Sequence, residues 1–269
     1  MENGREQDRV WETLVRRQRP QVEAFACREY LEGLAILSLP EDRVPSLQAL
    51  NASITPRTGW RLRRTPVRYS DAVPWYRHFA RRLFLITDYM RSWEELEFTP
   101  EPDMFHDIFG HLPFMVLPEY TALQDLFAPA FLRTDAQHRE LIKRLAWFTT
   151  EFGLIREAGR LKIFGAGLLS SVGEMQHVMQ GRTPVLPFSV ENVIARTKAI
   201  YTYNETLFAF DSLEGLKAEL LAWFDGLPVA PIEEDRGVVD DVAPLEDWEL
   251  ADLATAPGAP QRAALGSTV

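Results

Sequence analysis

Val10, Trp11, Leu14 and Val15 recur at the spacing of one helical face, and Val22, Ala26, Tyr30, Leu31 and Leu34 continue the pattern beyond Pro20. That period returns along most of the chain and restricts it to a mainly helical architecture, beginning with two consecutive helices over roughly 9–37. Pro40, Pro45 and the stretch Thr55-Pro56-Arg57-Thr58-Gly59 punctuate the next segment into short helical or extended pieces. Asp71 can cap a helix from about Val73 to Tyr89, with Pro74 in its first turn and Phe79, Leu83 and Ile86 as its apolar stripe. A short helix from Asp103 is expected to end near Gly110 or Pro113. Pro118 opens another towards Phe131, and Asp135 caps one that runs to Phe152, where Gly153 can stop it. Residues 154–164 read as a hairpin turning at Glu157-Ala158-Gly159, because Ile155, Leu161 and Ile163 flank a polar tip. Residues 168–179 and 211–227 return to helix, and 185–202 are mixed. There is no internal repeat, no strand-helix alternation of the parallel-sheet kind and no long heptad run.

The expected fold is therefore mainly α: one helical catalytic domain with a small β-hairpin or sheet over 1–228, since no Gly/Ser-rich or Pro-rich linker interrupts it. An acidic, flexible tail is expected over 229–269, where Glu233, Glu234, Asp235, Asp240, Asp241, Glu246, Asp247, Glu249 and Asp252 face only Arg236 and Arg262. Hydrophobic residues make up 46% of the chain and charged residues 25%, the balance of a globular protein. No apolar run approaches the roughly 20 residues that cross a bilayer, and the N-terminus lacks the basic-then-apolar layout of a secretory signal. No membrane association and a cytoplasmic location are the expectations. The net charge of −10 argues against nucleic acid as a partner.

Cys27 is the only cysteine, so a metal in this protein must be held by imidazole and carboxylate. Two of the five histidines fall within Phe105-His106-Asp107-Ile108-Phe109-Gly110-His111. Positions five apart on an ideal α-helix point about 140° away from each other, so chelation requires the helix to end and His111 to turn back, which Gly110 and Pro113 permit. Spacing alone leaves open the alternative of one buried, hydrogen-bonded histidine and one exposed one. Glu151 sits between Leu145-Ala146-Trp147-Phe148 and Phe152, where an unpaired carboxylate is costly and metal coordination or an arginine would relieve it. Trp147 and Phe148, four and three residues earlier, bring an aromatic ring to the same face. Two histidines and a carboxylate form the facial triad of Fe(II) oxygenases, and zinc hydrolases use the same ligands.

The run Thr99-Pro100-Glu101-Pro102-Asp103-Met104-Phe105-His106-Asp107-Ile108-Phe109-Gly110-His111-Leu112-Pro113 resembles the iron-binding motif of the pterin-dependent aromatic amino acid hydroxylases. Trp147-Phe148-Thr149-Thr150-Glu151-Phe152-Gly153-Leu154 and Gly165-Ala166-Gly167-Leu168-Leu169-Ser170-Ser171-Val172-Gly173-Glu174 resemble two further blocks of that family, in the same order. Glu29-Tyr30-Leu31-Glu32-Gly33-Leu34 and Thr58-Gly59-Trp60-Arg61 are similar to its bacterial members. The resemblance implies Fe(II) held by His106, His111 and Glu151, with Glu174 outside the ligand set. It implies a tetrahydropterin cofactor, with Trp75 stacking on it and Asp107 facing it, and O₂ as cosubstrate. Arg91, Ser170 and Thr99 would hold the carboxylate of a free aromatic amino acid, and Trp147 and Pro102 would line its ring. The implied chemistry needs no side-chain nucleophile, only positioning and exclusion of water.

Trp147 resembles the phenylalanine and tyrosine enzymes rather than the tryptophan hydroxylases, and Ile200 falls where tyrosine hydroxylases carry an acidic residue, which favours phenylalanine converted to tyrosine. Departures from the family are Asp107 for the usual Glu, the poorly matching Tyr201-Thr202-Tyr203-Asn204-Glu205, and Ala146 where most members have Tyr. The loss of that Tyr beside Trp147 makes Ala146 a candidate determinant of regiochemistry, with 3-hydroxylation to meta-tyrosine, or a tryptophan hydroxylase, as alternatives. A zinc hydrolase and a non-enzymatic amino-acid or pterin binder are the rivals from other classes. A monomer resembling the bacterial enzymes is expected.

Overall fold

The computed structural model describes residues 2–68, 70–97, 99, 101–198, 202–230 and 242–249. Ile200, Tyr201 and the acidic residues 233–241 and 252 lie outside them. Helix α1 (Glu2–Phe25) and α2 (Arg28–Leu37) are followed by α3 (Leu47–Thr58), strand β1 (Arg61–Thr65), α4 (Ala72–Phe79) and β2 (Leu83–Thr87). Next come α5 (Leu112–Met115), α6 (Pro118–Arg133), α7 (Ala136–Ala146), β3 (Leu154–Glu157) and β4 (Arg160–Ile163). The remaining elements are α8 (Ala166–Leu169), α9 (Val172–Met179), β5 (Val185–Pro187), α10 (Val190–Ile194), β6 (Leu207–Phe210) and α11 (Leu213–Asp225). The mainly helical fold with minor sheets expected from the apolar period is the fold found.

The centre of the molecule is a helical run from Met104 to Met115, in which α5 continues a π-helical stretch over His106–His111. Phe105, Ile108, Phe109, Leu112, Phe114 and Met115 are all buried, so the apolar positions of this helix are packed into the core and its polar positions, His106, Asp107 and His111, are left for another face. Helix α2 lies across α5 so closely that a Cβ on Gly33 would stand 1.6 Å from the Pro113 carbonyl oxygen. Helix α8 covers the π-helical stretch from the other side.

Several local expectations require correction. The helix expected over 73–89 ends at Phe79, Arg82 takes a positive φ of 53°, and Leu83–Thr87 is a strand paired in parallel with β1. Phe84, Leu85, Ile86 and Thr87 are buried in succession, which one face of a helix cannot achieve and a buried parallel strand can. The β1–α4–β2 unit is thus a strand-helix-strand alternation that the sequence reading denied. The break between the first two helices falls at Ala26-Cys27, and Pro20 lies inside α1. The single helix expected over 168–179 is divided at Ser170-Ser171, with Ser171 accepting from the Glu174 amide to cap α9. The hairpin is where it was expected: β3 and β4 pair antiparallel around Ala158 and Gly159, both at positive φ, in a four-stranded sheet of order β4-β3-β6-β5.

Part of the stretch expected as a tail lies on β1. The Ala243 amide donates to the Arg64 carbonyl, Arg63 pairs with Glu249 at 2.8 Å and Arg64 with Glu246 at 3.1 Å, and Trp248 packs against the core. Among the described residues, no helix is long and apolar enough to cross a membrane.

Candidate metal centre and substrate cleft

His106 and His111 occupy the two ends of the π-helical stretch, whose i to i+5 hydrogen bonds bring residues five apart onto one face. The helix therefore does not end near Gly110 for His111 to turn back, as expected; it widens and continues. Nε2 of His106 and Nε2 of His111 are 3.1 Å apart. A second π-helical stretch, Trp147–Glu151, closes the C-terminal end of α7 and carries Glu151 opposite them. The Glu151 carboxylate stands 3.5 Å from His106 Nε2 through Oε2 and 3.2 Å from His111 Nε2 through Oε1. Gly165 permits this placement, because a Cβ there would lie 2.2 Å from the Glu151 carbonyl oxygen.

These donors fit one metal ion. A metal about 2.1 Å from each ligand places adjacent donors about 3 Å apart at right angles, close to the separations observed. The His106 tautomer also fits: its Nδ1 lies 2.9 Å from Ser170 Oγ, which itself donates to the Ala166 carbonyl at 2.8 Å. Nδ1 is thus the protonated nitrogen, and Nε2 keeps its lone pair for a metal. Burial, followed by the neighbouring His111, lowers the pKa of His106 to about 4, so the ring is neutral near pH 7. Burial opposes charge on both His111 and Glu151, but each outweighs it for the other: the imidazole is raised and the carboxyl lowered from their ordinary values.

The described residues that the sequence assigned to substrate, pterin and regiochemistry line one cleft with the three donors. Arg91, Thr99, Pro102 and Ser170 border it, as do Trp147 and Ala146, and Trp75 and Asp107 face it beside β1 and β2. The cleft encloses about 300 Å³, within the range that holds small-molecule ligands. Trp75 is seated against Phe79 and Phe84 at ring-centroid distances of 4.9 and 5.6 Å. Asp107 accepts from the Thr87 amide at 2.9 Å, which ties β2 to the π-helical stretch, and burial raises its pKa to about 7.

Three residues have partners that sequence reasoning missed. Asp103, read only as a helix start, grips Arg91 with two 2.8 Å bonds to Nε and Nη2 while capping the backbone amide of His106 at 3.0 Å. The signal was available in the acidic residue three positions before the histidine. Ser170, with its proton given to Ala166, orients His106, and it must turn that proton outward to meet a carboxylate. Asn204, from the segment that matched the family poorly, accepts from the Trp147 indole N–H at 2.9 Å.

A helical fold with two imidazoles and one carboxylate converging on an apolar cleft defines the class of mononuclear non-haem metal proteins. A family model for biopterin-dependent aromatic amino acid hydroxylases matches residues 1–230. A phenylalanine-4-hydroxylase of Ralstonia nicotianae is 33% identical over 256 residues, covering 91% of this chain and 82% of the relative. Among solved structures, phenylalanine hydroxylase of Chromobacterium violaceum with bound iron(III) and oxidised cofactor 7,8-dihydrobiopterin superposes with a TM-score of 0.77 at 31% identity, covering 86% of this chain and 87% of that one. The apo phenylalanine hydroxylase of Colwellia psychrerythraea gives 0.76 at 30%, covering 84% and 90%. The chain belongs to the biopterin-dependent aromatic amino acid hydroxylases.

Proposed function

We propose that the cleft hydroxylates the ring of free L-phenylalanine to give tyrosine, with Fe(II) held by His106, His111 and Glu151, a tetrahydropterin as cofactor and O₂ as cosubstrate. The observation that carries the reading is the convergence of those three donors, within 3.1–3.5 Å of one another, on the cleft of a chain in this family. Bound iron and tetrahydropterin would together supply the activation of O₂. The protein's residues bind, orient and exclude water.

Arg91 is fixed on one edge by Asp103, which leaves its outer nitrogen free to pair with the amino acid's carboxylate, with Thr99 and Ser170 beside it. Trp147 and Pro102 form the walls that receive the aromatic ring, and Trp75, braced by Phe79 and Phe84, offers a face for the pterin. Asp107, held by the Thr87 amide, stands on the pterin side. The names of the relatives support phenylalanine as the substrate.

Iron-loaded protein is incubated with phenylalanine, tyrosine or tryptophan and a tetrahydropterin, aerobically and without oxygen, and the product isomer is identified. Oxygen-dependent para-tyrosine is the expected result. Meta-tyrosine would favour the 3-hydroxylation alternative and make Ala146 the position to exchange next, 5-hydroxytryptophan would change the substrate, and no pterin-dependent product from any of the three would overturn the reading. A monomer acting in the cytoplasm belongs to the same proposal, and light scattering of the loaded protein tests the first part.

A further inference from the structure

Trp147 is held by more than packing. Its indole N–H donates to Asn204 Oδ1 at 2.9 Å. An asparagine side chain can present either its oxygen or its NH₂, and here a buried carboxylate decides which. Glu174 Oε1 accepts from Asn204 Nδ2 at 2.9 Å and from the Asn204 backbone amide at 3.0 Å. With Nδ2 committed to Glu174, Oδ1 must face the indole. Both residues are nearly inaccessible, Asn204 4% and Glu174 3% exposed, so water cannot substitute for either partner without rearrangement. Among the described residues, no cation lies within ion-pair distance of Glu174, so its bonds to Asn204 are its anchors in the fold.

Three segments distant in sequence meet in this relay. Glu174 is on α9, which begins only because the chain breaks at Ser170-Ser171, and Asn204 precedes β6. Trp147 opens the π-helical stretch that ends at Glu151. The indole lies against Phe152 at a ring-centroid distance of 4.6 Å, and Lys198 Nζ stands 5.6 Å from its centre. Packing against Phe152 alone leaves the ring free to slide in its plane, whereas a directional hydrogen bond at Nε1 fixes its rotation.

We propose that Asn204, oriented by Glu174, is a positioning residue that sets the in-plane orientation of Trp147 and thereby the affinity and alignment of the aromatic substrate. The proposal rests on the reading of Trp147 as a wall of the amino-acid site. It accounts for Glu174, a buried acid next to the centre that is not among the metal donors, and for Asn204, which lies in a segment that matches the family poorly.

The test is steady-state kinetics on the iron-loaded protein, with tyrosine formed and tetrahydropterin oxidised measured separately. N204L should raise KM for the aromatic amino acid about tenfold, the equivalent of one hydrogen bond lost. KM for the pterin and the iron content should stay as in the parent, while more pterin is oxidised per product formed. E174Q, whose carboxamide oxygen still accepts from Asn204, should shift KM by less than about threefold, and E174A should match N204L. Because N204L strands a buried acid, E174L/N204L replaces both partners by apolar groups and should recover the melting temperature while keeping the raised KM. In W147F, which has no indole N–H, adding N204L should have no further effect on KM. An unchanged amino-acid KM in N204L and E174L/N204L, or an undiminished effect of N204L in the W147F background, overturns the proposal. If the parent hydroxylates no aromatic amino acid, it is the reading of the site that fails, and the two failures are thereby distinguished.

Discussion

Replacing Asp103 by Asn tests whether Arg91 is built into the fold in the way its geometry indicates. The Asp103 carboxylate is fully buried and accepts four hydrogen bonds: from Arg91 Nε and Nη2 at 2.8 Å each, and from the Arg91 and His106 amides at 3.0 Å each. Arg91 is itself only 4% exposed. Asn has nearly the same shape but no charge, and its NH₂ would face a donor on one side of the guanidinium. Removing one partner of such a pair leaves an uncompensated buried charge and costs about 3–5 kcal/mol. For a chain of this size that corresponds to a fall in melting temperature of roughly 6–20 °C, measurable by circular dichroism and urea titration. The acid limb supplies a second readout. Burial raises the Asp103 pKa, but Arg91 and the two amides outweigh it and hold the carboxyl below its ordinary 3.8. A depressed pKa gives stability that is complete above the unfolded value and is lost as pH falls through the folded one. D103N should therefore flatten the loss of stability below about pH 4 and leave the range from pH 5 to 8 parallel to the parent. R91L/D103L removes the charge pair but leaves the amides of residue 91 and His106 without their acceptor, so it should regain only part of the stability and bind no amino-acid carboxylate. A D103N variant that melts within about 1 °C of the parent would refute the argument.

Other outcomes follow from the same structure. G33A should destabilise by about 1–3 kcal/mol or fail to fold, because its Cβ meets the Pro113 backbone rather than a movable side chain; chemical denaturation measures it. R63A should cost about 2 kcal/mol, since Arg63 pairs with Glu249 and also donates to the Ala243 carbonyl at 2.6 Å, and limited proteolysis should then cut near 242–249 faster. A small or absent change would show that this segment contributes nothing to the stability of β1.

How much was legible in the sequence depended on whether a signal was local. Caps such as Asp135, the polar tip at Ala158-Gly159 and the pairing of His106 with His111 were readable because a few neighbouring residues determine them. The strand Leu83–Thr87 was misread because four consecutive apolar residues are compatible with a helical stripe until tertiary burial shows that both faces are covered. The π-helical geometry at His106–His111 and Trp147–Glu151 was invisible to a 3.6-residue period, since one extra residue per turn changes which positions share a face. Asp103 with Arg91 and Asn204 with Trp147 were missed for a different reason. Both pairs join residues from separate segments, and nothing in one segment specifies the other. The candidate metal donors could be picked out from the residues themselves and the substrate- and pterin-side residues were named through family blocks, but the hydrogen bonds that orient them belong to this chain's own packing.

Iron stoichiometry in E151A and E174A tests the central claim most directly, because both acids border the cleft and only one stands within 3.5 Å of the two imidazoles. Each variant is loaded with Fe(II), passed through a desalting column and assayed for bound metal, with the melting temperature confirming the fold. E151A should retain only a small fraction of one iron per chain while E174A retains the parent's content and shows its defect in the amino-acid KM instead. Full iron in E151A, or loss of iron in E174A with E151A unaffected, would contradict the assignment of His106, His111 and Glu151 as the metal site.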